Sequence, residues 1–305
     1  MDKKITFAGF LISLMGAILF STKAIFVKLA YQSTQVDAIT LLSLRMLFSL
    51  PFYLFAAWLV SKKEGQEPLS RKDWVWIFMM GILGYYLSSL FDFIGLQYVS
   101  AGLERLILFL YPTFAVLINT FFFKTKLGRI QIIALVLTYL GIGIAYFGEL
   151  RLDTSNPKFF FGSFMIFLCA ITYSFYLVGT GRMVHKVGVT RYTAYVMLAA
   201  TAGIFINFML TNNVRTIPFS NSLVGYAIAI AIVATVLPSF MMSNGMKRIG
   251  SNNVSIITSI GPVSTIIQAH FFLGEKIIAA QILGTALVIT GVILIGWQSR
   301  FAGET

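Results

Sequence analysis

The 305-residue sequence predicts an all-α membrane protein with ten transmembrane helices, built as two inverted-topology five-helix repeats with both termini in the cytoplasm. Three observations predict this fold class: the composition, a duplicated sequence pattern, and the distribution of Lys and Arg between loops. Hydrophobic residues make up 58% of the chain and charged residues 11%, whereas soluble domains average roughly 25% charged. Apolar runs reach the roughly 20 residues needed to cross a bilayer, which places the chain in the membrane class.

The second half of the chain repeats the first at a fixed offset of 150 residues. The segment 101–112, AGLERLILFLYP, aligns without a gap with the segment 251–262, SNNVSIITSIGP. Identical pairs continue the match on both sides, namely Leu87/Leu237, Gly95/Gly245, Phe121/Phe271, Lys126/Lys276 and Gly141/Gly291. A duplicated unit of half the chain in a membrane protein is typical of secondary transporters.

Apolar runs separated by polar breaks predict the ten helices in chain order. They cover residues 7–30, 38–60, 74–97, 100–123, 129–148, 160–181, 192–211, 223–246, 252–273 and 277–297. The first run is too long for a signal peptide and lacks a cleavage site, so we expect an uncleaved first helix. The predicted division is a first repeat at 1–148, an extracytoplasmic connecting loop at 149–159, a second repeat at 160–298 and a cytoplasmic tail at 299–305.

Lys and Arg in alternate loops predict the orientation, because cytoplasmic loops carry an excess of them. Fifteen lie on one side: Lys3, Lys4, Lys62, Lys63, Arg71, Lys72, Lys124, Lys126, Arg129, Arg182, Lys186, Arg191, Lys247, Arg248 and Arg300. Four lie on the other: Arg151, Lys158, Arg215 and Lys276. Since five is odd, the second repeat enters the membrane in the opposite sense. This symmetry predicts alternating access around a site near the midplane.

Several classes of function find no support in the sequence. Most of the net charge of +12 is explained by topology, so we predict no nucleic-acid partner. Cys169 is the single cysteine, which excludes an intrachain disulfide and a cysteine metal cluster. No Walker loop, HExxH, GxSxG or CxxC motif occurs, so we predict no enzyme activity, no catalytic residue, no cofactor and no metal.

The chain resembles the EamA-type drug/metabolite transporter superfamily over essentially its whole length, through a set of motifs that are each of low specificity. The motifs are the first-span segment 16–28, Arg45 in the second span, Pro112 and Pro262 in spans four and nine, and Gly274-Glu275 before Gln281, Gly284 and Gly291. Two departures are Lys124-Thr125 in place of Gly274-Glu275 in the first repeat, and Phe20 where the family often has Trp. The resemblance implies a secondary transporter, often an exporter of amino acids or other small metabolites.

Ionisable residues inside the spans are candidates for function, because each costs roughly 2.5 to 3.5 kcal/mol on insertion scales. They are Lys23, Lys28, Arg45, Asp92, Glu104 and Arg105, all in the first repeat. The corresponding second-repeat positions hold Tyr176, Gly181, Leu198, Met242, Val254 and Ser255. The cationic excess favours a substrate with an anionic group, Asp92 or Glu104 suits an ammonium, and a zwitterion satisfies both.

Helical spacing predicts which side chains face the transport path, because residues three, four or seven apart share a face. The predicted substrate-binding residues are Lys23, Arg45, Arg105, Tyr173, Tyr176, Ser255 and Thr258. Asp92 and Glu104 are predicted to form a gate or an ion pair, with substrate contact as the alternative. Pro112 and Pro262 occupy equivalent positions and are predicted to be hinges. Lys28 is expected to snorkel to the interface.

The sequence therefore predicts a multi-pass secondary transporter in a bacterial cytoplasmic (inner) membrane, moving a small metabolite such as an amino acid or a related carboxylate, in the direction of export. The alternatives are an exchanger of nucleotide-sugars or phosphorylated metabolites, a passive channel and an intramembrane enzyme. Its expected partners are a small-molecule substrate and the lipid bilayer, with a coupling proton or a counter-substrate as an open choice.

Overall fold

The structure is a computed structural model that describes residues 6–62, 68–123, 129–152, 157–212, 217, 219–249, 254, 257–258 and 260–301. Within those ranges every regular element is helical. The helices are α1 Phe7–Ser33, α2 Ala38–Ser61, α3 Arg71–Met79, α4 Leu87–Gly95, α5 Ala101–Leu108, α6 Tyr111–Phe123, α7 Arg129–Leu152, α8 Phe159–Val187, α9 Val189–Thr211, α10 Asn221–Ala231, α11 Leu237–Ile249, α12 Gly261–Leu273 and α13 Ala279–Phe301.

Several of these helices are long and apolar enough to cross a membrane. Six such segments are Phe7–Ser33, Ala38–Ser61, Arg71–Gly95, Phe159–Thr180, Val189–Thr211 and Asn221–Met242. Two shorter apolar stretches lie at Val136–Gly148 and Ala279–Gly291. The chain is therefore a multi-pass integral membrane protein.

Side-chain caps at the polar breaks explain where several helices begin. Asp37 accepts a hydrogen bond from the backbone N–H of Thr40 and caps α2, while Ser100 caps α5 through the N–H of Leu103. Ser70 and Asp73 form a capping box at the start of α3. Because each cap satisfies a backbone N–H that the helix leaves unpaired, the breaks seen in the sequence are also stable helix ends.

The helix that runs from Arg71 to Gly95 contains a π-helical turn at Met80–Tyr86. A second π-helical turn, Ile232–Val236, joins α10 to α11. At the 150-residue offset of the repeat, 232–236 corresponds to 82–86, so the duplication extends to an irregularity of the backbone. The apolar pattern does not predict these turns. A π turn changes which side chains share a face, and Gly81 accordingly packs against Val196 and Ala199 of α9.

The fourth predicted span, 100–123, is wrong in one detail, because it is two helices instead of one kinked helix. α5 ends at Leu108, and α6 begins at Tyr111 after two turn residues, Phe109 and Leu110. The proline ring at 112 would clash with the carbonyl of residue 108 and cannot donate to it, which ends the helix there. In the second half, α12 begins at Gly261 with Pro262 in its first turn, at the equivalent position.

The connection between the two halves is shorter than the predicted loop at 149–159. α7 continues to Leu152 and α8 begins at Phe159. The last helix likewise continues past residue 298 to Phe301. Apolar sequence alone places helix ends poorly, because a helix can extend into polar residues once its backbone is already hydrogen-bonded.

The core lies around α1, α2, α9 and α10, where Leu41, Leu42, Met46 and Tyr53 are completely buried. α7 and α13 instead pack on one another through Gly141 and Gly284, each close enough to the other's backbone carbonyl that a Cβ would clash. The outward faces of these two helices carry exposed apolar side chains, which suit contact with lipid: Ile132, Ile133, Val136, Leu140, Ile282 and Leu283.

Candidate functional site

A narrow cavity lies between the first-half helices and α8. Its lining consists of Phe20 and Lys23 from α1, Arg45 from α2, Tyr85 from the π turn, Ser88, Ser89 and Asp92 from α4, Leu108 from α5, and Cys169 and Tyr173 from α8. Its volume is about 30 Å³. A single water needs roughly 10 to 15 Å³ of such space, so an organic substrate enters only if the helices around the cavity move apart.

Lys23 is the cation at the centre of a buried ion cluster. Its Nζ lies 2.7 Å from Asp92 Oδ2 and 3.6 Å from Glu104 Oε1. The lysine side chain is 8% exposed, and those of Asp92 and Glu104 are 2% and 0% exposed. The two predicted gate residues and one predicted substrate-binding residue thus lie together, on three different helices.

The two carboxylates of this cluster have few donors. Neither oxygen of Asp92 and neither oxygen of Glu104 accepts a hydrogen bond of good geometry from the described residues, although Asp92 is in ion contact with Lys23. Leaving a buried acceptor unsatisfied costs about 1–3 kcal/mol. Within the described residues, the cluster therefore has acceptor oxygens to which no donor is assigned.

Arg45 faces the cavity from α2 and is 2% exposed. One of its terminal nitrogens, Nη2, donates a hydrogen bond to the hydroxyl of Tyr85, and the guanidinium lies over the rings of Tyr85 and Phe93, 5.5 and 5.4 Å from their centroids. Its Nε has no hydrogen-bond partner, and within the described ranges no carboxylate lies within 4 Å of it. Among the described residues, Arg45 is therefore a buried cation without a carboxylate partner.

Arg105 lies at the boundary between the halves. It is 5% exposed, and its guanidinium lies over the rings of Phe20 and Phe109, 5.3 and 5.5 Å from their centroids. A Cβ on Gly261 would meet Arg105 Nη2 at 2.6 Å, so a larger residue at 261 would require the arginine side chain to shift. Its Nε is also without a partner among the described residues.

Four tyrosines form a continuous aromatic path beside the cavity. Tyr173 packs edge-on against Tyr111 and stacks on Tyr176, with centroid separations of 5.4 and 5.7 Å. Tyr176 then meets the edge of Tyr85 at 5.8 Å. The path connects α6 with Arg45, because Tyr85 accepts the hydrogen bond from that arginine.

The structure describes some of the remaining predicted residues fully and others only in part. Thr258 is partly buried and hydrogen-bonds with Tyr111, which brings a second-half hydroxyl to the aromatic path. Pro262 is buried in the first turn of α12. Pro112 lies in the first turn of α6, but its side chain is outside the described set, and Ser255 lies outside the described residues.

Several site residues were missed by sequence reasoning. Phe20, Tyr85, Ser88 and Ser89 line the cavity, but they are uncharged residues of types that recur throughout the sequence, so none was predicted as a site residue. Cys169 was interpreted as a small buried hydrophobe; it is buried, and it also lines the cavity.

Glu275 is a further missed residue, although it was part of the Gly274-Glu275 motif. Its two carboxylate oxygens accept hydrogen bonds from the backbone N–H groups of Ala101 and Gly102, at 2.9 and 3.3 Å. Gly274 has a left-handed backbone, φ 69°, which ends α12 and turns the chain towards α5. A second-half carboxylate thus caps the first-half helix that carries Glu104 and Arg105.

The N-terminal end of α3 carries a separate ion pair. Lys186 Nζ, near the end of α8, lies 2.7 Å from Asp73 Oδ1 and 2.8 Å from Oδ2. Asp73 also accepts from the backbone N–H and the hydroxyl of Ser70. This pair fastens the start of α3 to the end of α8, far along both helices from the cavity.

Comparison with known proteins gives a consistent family assignment. A model of the EamA-like transporter family matches twice, at residues 7–147 and 160–297. The uncharacterized transporter YcbK of Bacillus subtilis is 32% identical over 93% of this chain and 92% of its own length. The uncharacterized inner membrane transporter YicL of Salmonella typhimurium is 21% identical over 96% of each chain.

A solved crystal structure has the same overall fold. It superposes with a TM-score of 0.67 and covers 98% of this chain and 99% of its own, at 19% sequence identity. At that identity the likeness concerns the fold alone, and the site described above rests on the residues of this chain.

Proposed function

We propose that this chain, which belongs to the EamA-like transporter family, is a secondary transporter that exports a small carboxylate-bearing metabolite, such as an amino acid, across the bacterial inner membrane by alternating access. The observation that carries the substrate class is Arg45. A buried guanidinium faces a cavity, and the described part of the chain supplies no carboxylate for it.

The free energy of an uncompensated buried cation explains why an anion would bind there. Removing a charge from water costs several kcal/mol, and an opposite charge with good hydrogen-bond geometry offsets much of that cost. Arg45 offers a planar fork of donors, of which Nη2 is held by Tyr85 and Nε is unused. A substrate carboxylate fits this fork, and no carboxylate of the described residues lies within 4 Å of it.

The aromatic path supplies the rest of the proposed binding surface. Tyr173 and Tyr176 present a stacked pair beside Arg45, and Thr258 reaches the same path through Tyr111. Lys23 and Arg105 add positive charge at its edge, and Ser255 is retained in the proposal on its helical spacing from Thr258. Tyrosine faces combine apolar area with hydroxyl donors, which suits a small amphiphilic metabolite.

The alternating-access part of the proposal is supported by the repeat. The two family matches support a division into repeats at 1–148 and 160–298. The π turns and the helix breaks before Pro112 and Pro262 occupy equivalent positions in the two repeats, and paired irregularities are where two halves can exchange conformations. The narrow cavity suits a conformation closed around the site.

Inner-membrane location and the direction of transport are supported by relatives and resemblance. YicL is named as an inner membrane transporter, and the distribution of Lys and Arg favours cytoplasmic termini. Export is the direction favoured by the resemblance to metabolite exporters.

Flux in proteoliposomes tests this function. The purified protein is reconstituted, and amino acids, organic acids and nucleotide derivatives are screened for saturable transport. Saturable flux of one carboxylate-bearing class is expected, and Arg45→Lys should raise its KM roughly tenfold because the planar fork is lost. Arg71→Lys, at the exposed start of α3, is the matched control. Flux of no carboxylate, or an unchanged KM in Arg45→Lys, would contradict the proposal.

A phosphorylated substrate is the second candidate, favoured by the excess of buried cations. Lys23, Arg45 and Arg105 are all buried, and of these three only Lys23 lies within 4 Å of a described carboxylate. The same panel separates the two, since saturable flux confined to phosphate esters or nucleotide-sugars would replace the carboxylate proposal. Conductance without saturation would instead indicate a passive channel.

A further inference from the structure

The side chains of Asp92 and Glu104 have four acceptor oxygens, and among the described residues only one cation is in contact with them. Lys23 Nζ approaches Oδ2 of the first and Oε1 of the second, at 2.7 and 3.6 Å. No described hydroxyl, amide or backbone N–H donates to any of the four oxygens. Both side chains are at most 2% exposed, so bulk water does not supply the missing donors.

Both carboxyl groups also contact the same ammonium nitrogen, Lys23 Nζ, so they lie side by side in one buried site. Two such groups that share a buried site do not both ionise readily, because their repulsion increases as the local dielectric constant falls. One proton between them turns an oxygen into a donor and leaves a single negative charge opposite Lys23. We propose that Asp92 and Glu104 hold one shared, exchangeable proton, and that the ammonium group of the substrate takes its place.

The neighbouring ionisable groups do not neutralise the pair. Arg105 attracts Glu104 electrostatically but lies over aromatic rings, without an ion pair within 4 Å. The titratable or charged groups on the surrounding elements are Lys23 and Tyr31 on α1, Arg45 on α2, Tyr85 in the π turn, Arg105 on α5, and Cys169 and Tyr173 on α8. Lys23 is the one cation among these in contact with the pair.

A proton and an ammonium compete for the same oxygens, so the site holds one or the other. This step rests on the proposed function, with an amino acid as substrate. When the zwitterion binds, its ammonium donates to the two carboxylates, its carboxylate pairs with Arg45, and the shared proton leaves to water. The net charge of Lys23, the two carboxylates and their occupant stays at zero in both states. One proton therefore moves against each substrate, which makes the exchange an antiport.

Infrared difference spectra between the wild-type protein and its variants test the shared proton, and no substrate is needed. The purified wild-type protein at neutral pH should show the C=O stretch of a buried carboxylic acid. Asp92→Asn and Glu104→Gln should each lose it, because the remaining carboxylate pairs with Lys23 and ionises. Asp37→Asn, which keeps a good N-cap for α2, should retain it. A spectrum unchanged in both cluster variants would overturn the proposal.

Proton release tests the exchange. An equimolar mixture of the twenty L-amino acids is added to the weakly buffered protein with a pH indicator. Protons should be released in proportion to the protein, and Glu104→Gln should lose the release. The 2-oxo acids, which keep the carboxylate but lack the amine, should release none.

The two measurements separate failure of the exchange from failure of the proposed function. Saturable amino-acid flux without proton release would overturn the exchange and leave the proposed function standing. A carboxylic acid band that persists while no amino acid binds or is transported would overturn the exchange and the amino-acid substrate, but not the shared proton.

Discussion

The first half of the chain buries Lys23, Arg45, Asp92, Glu104 and Arg105, whereas the second half places Tyr176, Leu198, Met242, Val254 and Ser255 at the aligned positions. The backbones of the two halves are similar down to a π turn and a helix break before a proline. Under the proposed function, the duplicated scaffold serves the conformational change, and the charge of the first half serves the substrate.

The largest expected difference in stability between the two halves comes from substitution of Lys23. Lys23→Met leaves Asp92 and Glu104 without their cation, and removing one partner of a buried ion pair costs about 3–5 kcal/mol. Tyr176→Phe, at the aligned position, removes only a hydroxyl and should cost about 1 kcal/mol. Thermal unfolding in detergent measures both. Adding Asp92→Asn to Lys23→Met should restore part of the loss, whereas additive losses would contradict a coupled cluster.

The next largest loss of stability is expected at the contact between α7 and α13, to which each half contributes one glycine. Gly141→Ala and Gly284→Ala each insert a methyl group against the opposing backbone, which should cost about 1–3 kcal/mol. Because the two glycines face one another, the losses should be similar. Gly143→Ala is the control, since a Cβ there meets nothing within 4 Å. Unequal losses at 141 and 284 would show that the α7–α13 contact is less symmetric than the backbone suggests.

The smallest loss of stability is expected for Glu275, the second-half carboxylate that caps α5 of the first half. Glu275→Gln keeps one acceptor oxygen but removes the negative charge from the N-terminus of α5, which should cost about 0.3–1 kcal/mol. Glu275→Ala removes both acceptors and should cost more. Unfolding in low and high salt measures the charge contribution. Equal stability of the two variants would show that the cap is unimportant.

The sequence predicted helix positions well because apolar runs and polar breaks follow from the bilayer itself. The π turns at Met80–Tyr86 and Ile232–Val236 were missed, since no hydropathy pattern separates one extra backbone residue from a regular turn. The break at Phe109–Leu110 was not predicted, because Pro112 was interpreted only as a hinge, and a proline shows that a hydrogen bond is lost but not how the chain responds.

The residues of the candidate site likewise divide into those that the sequence predicted and those that it did not. The charged members of the site were found because an ionisable group in an apolar span is rare, and Tyr173 was found by its spacing on α8. Tyr85 and Ser88 were not predicted as site residues, because tyrosine and serine are common in this chain. The contact between Glu275 and the start of α5 joins residues 174 apart, which no local pattern reports.

Methionine introduced at each of two aligned positions tests most directly whether the charge of the first half binds the substrate. Arg45→Met and Leu198→Met are compared in proteoliposomes, with the carboxylate-bearing substrate from the screen. We predict that Arg45→Met lowers the affinity at least roughly 30-fold, the equivalent of about 2 kcal/mol, while Leu198→Met changes it less than roughly threefold. An unchanged KM in a stably folded Arg45→Met protein would contradict the assignment of the site.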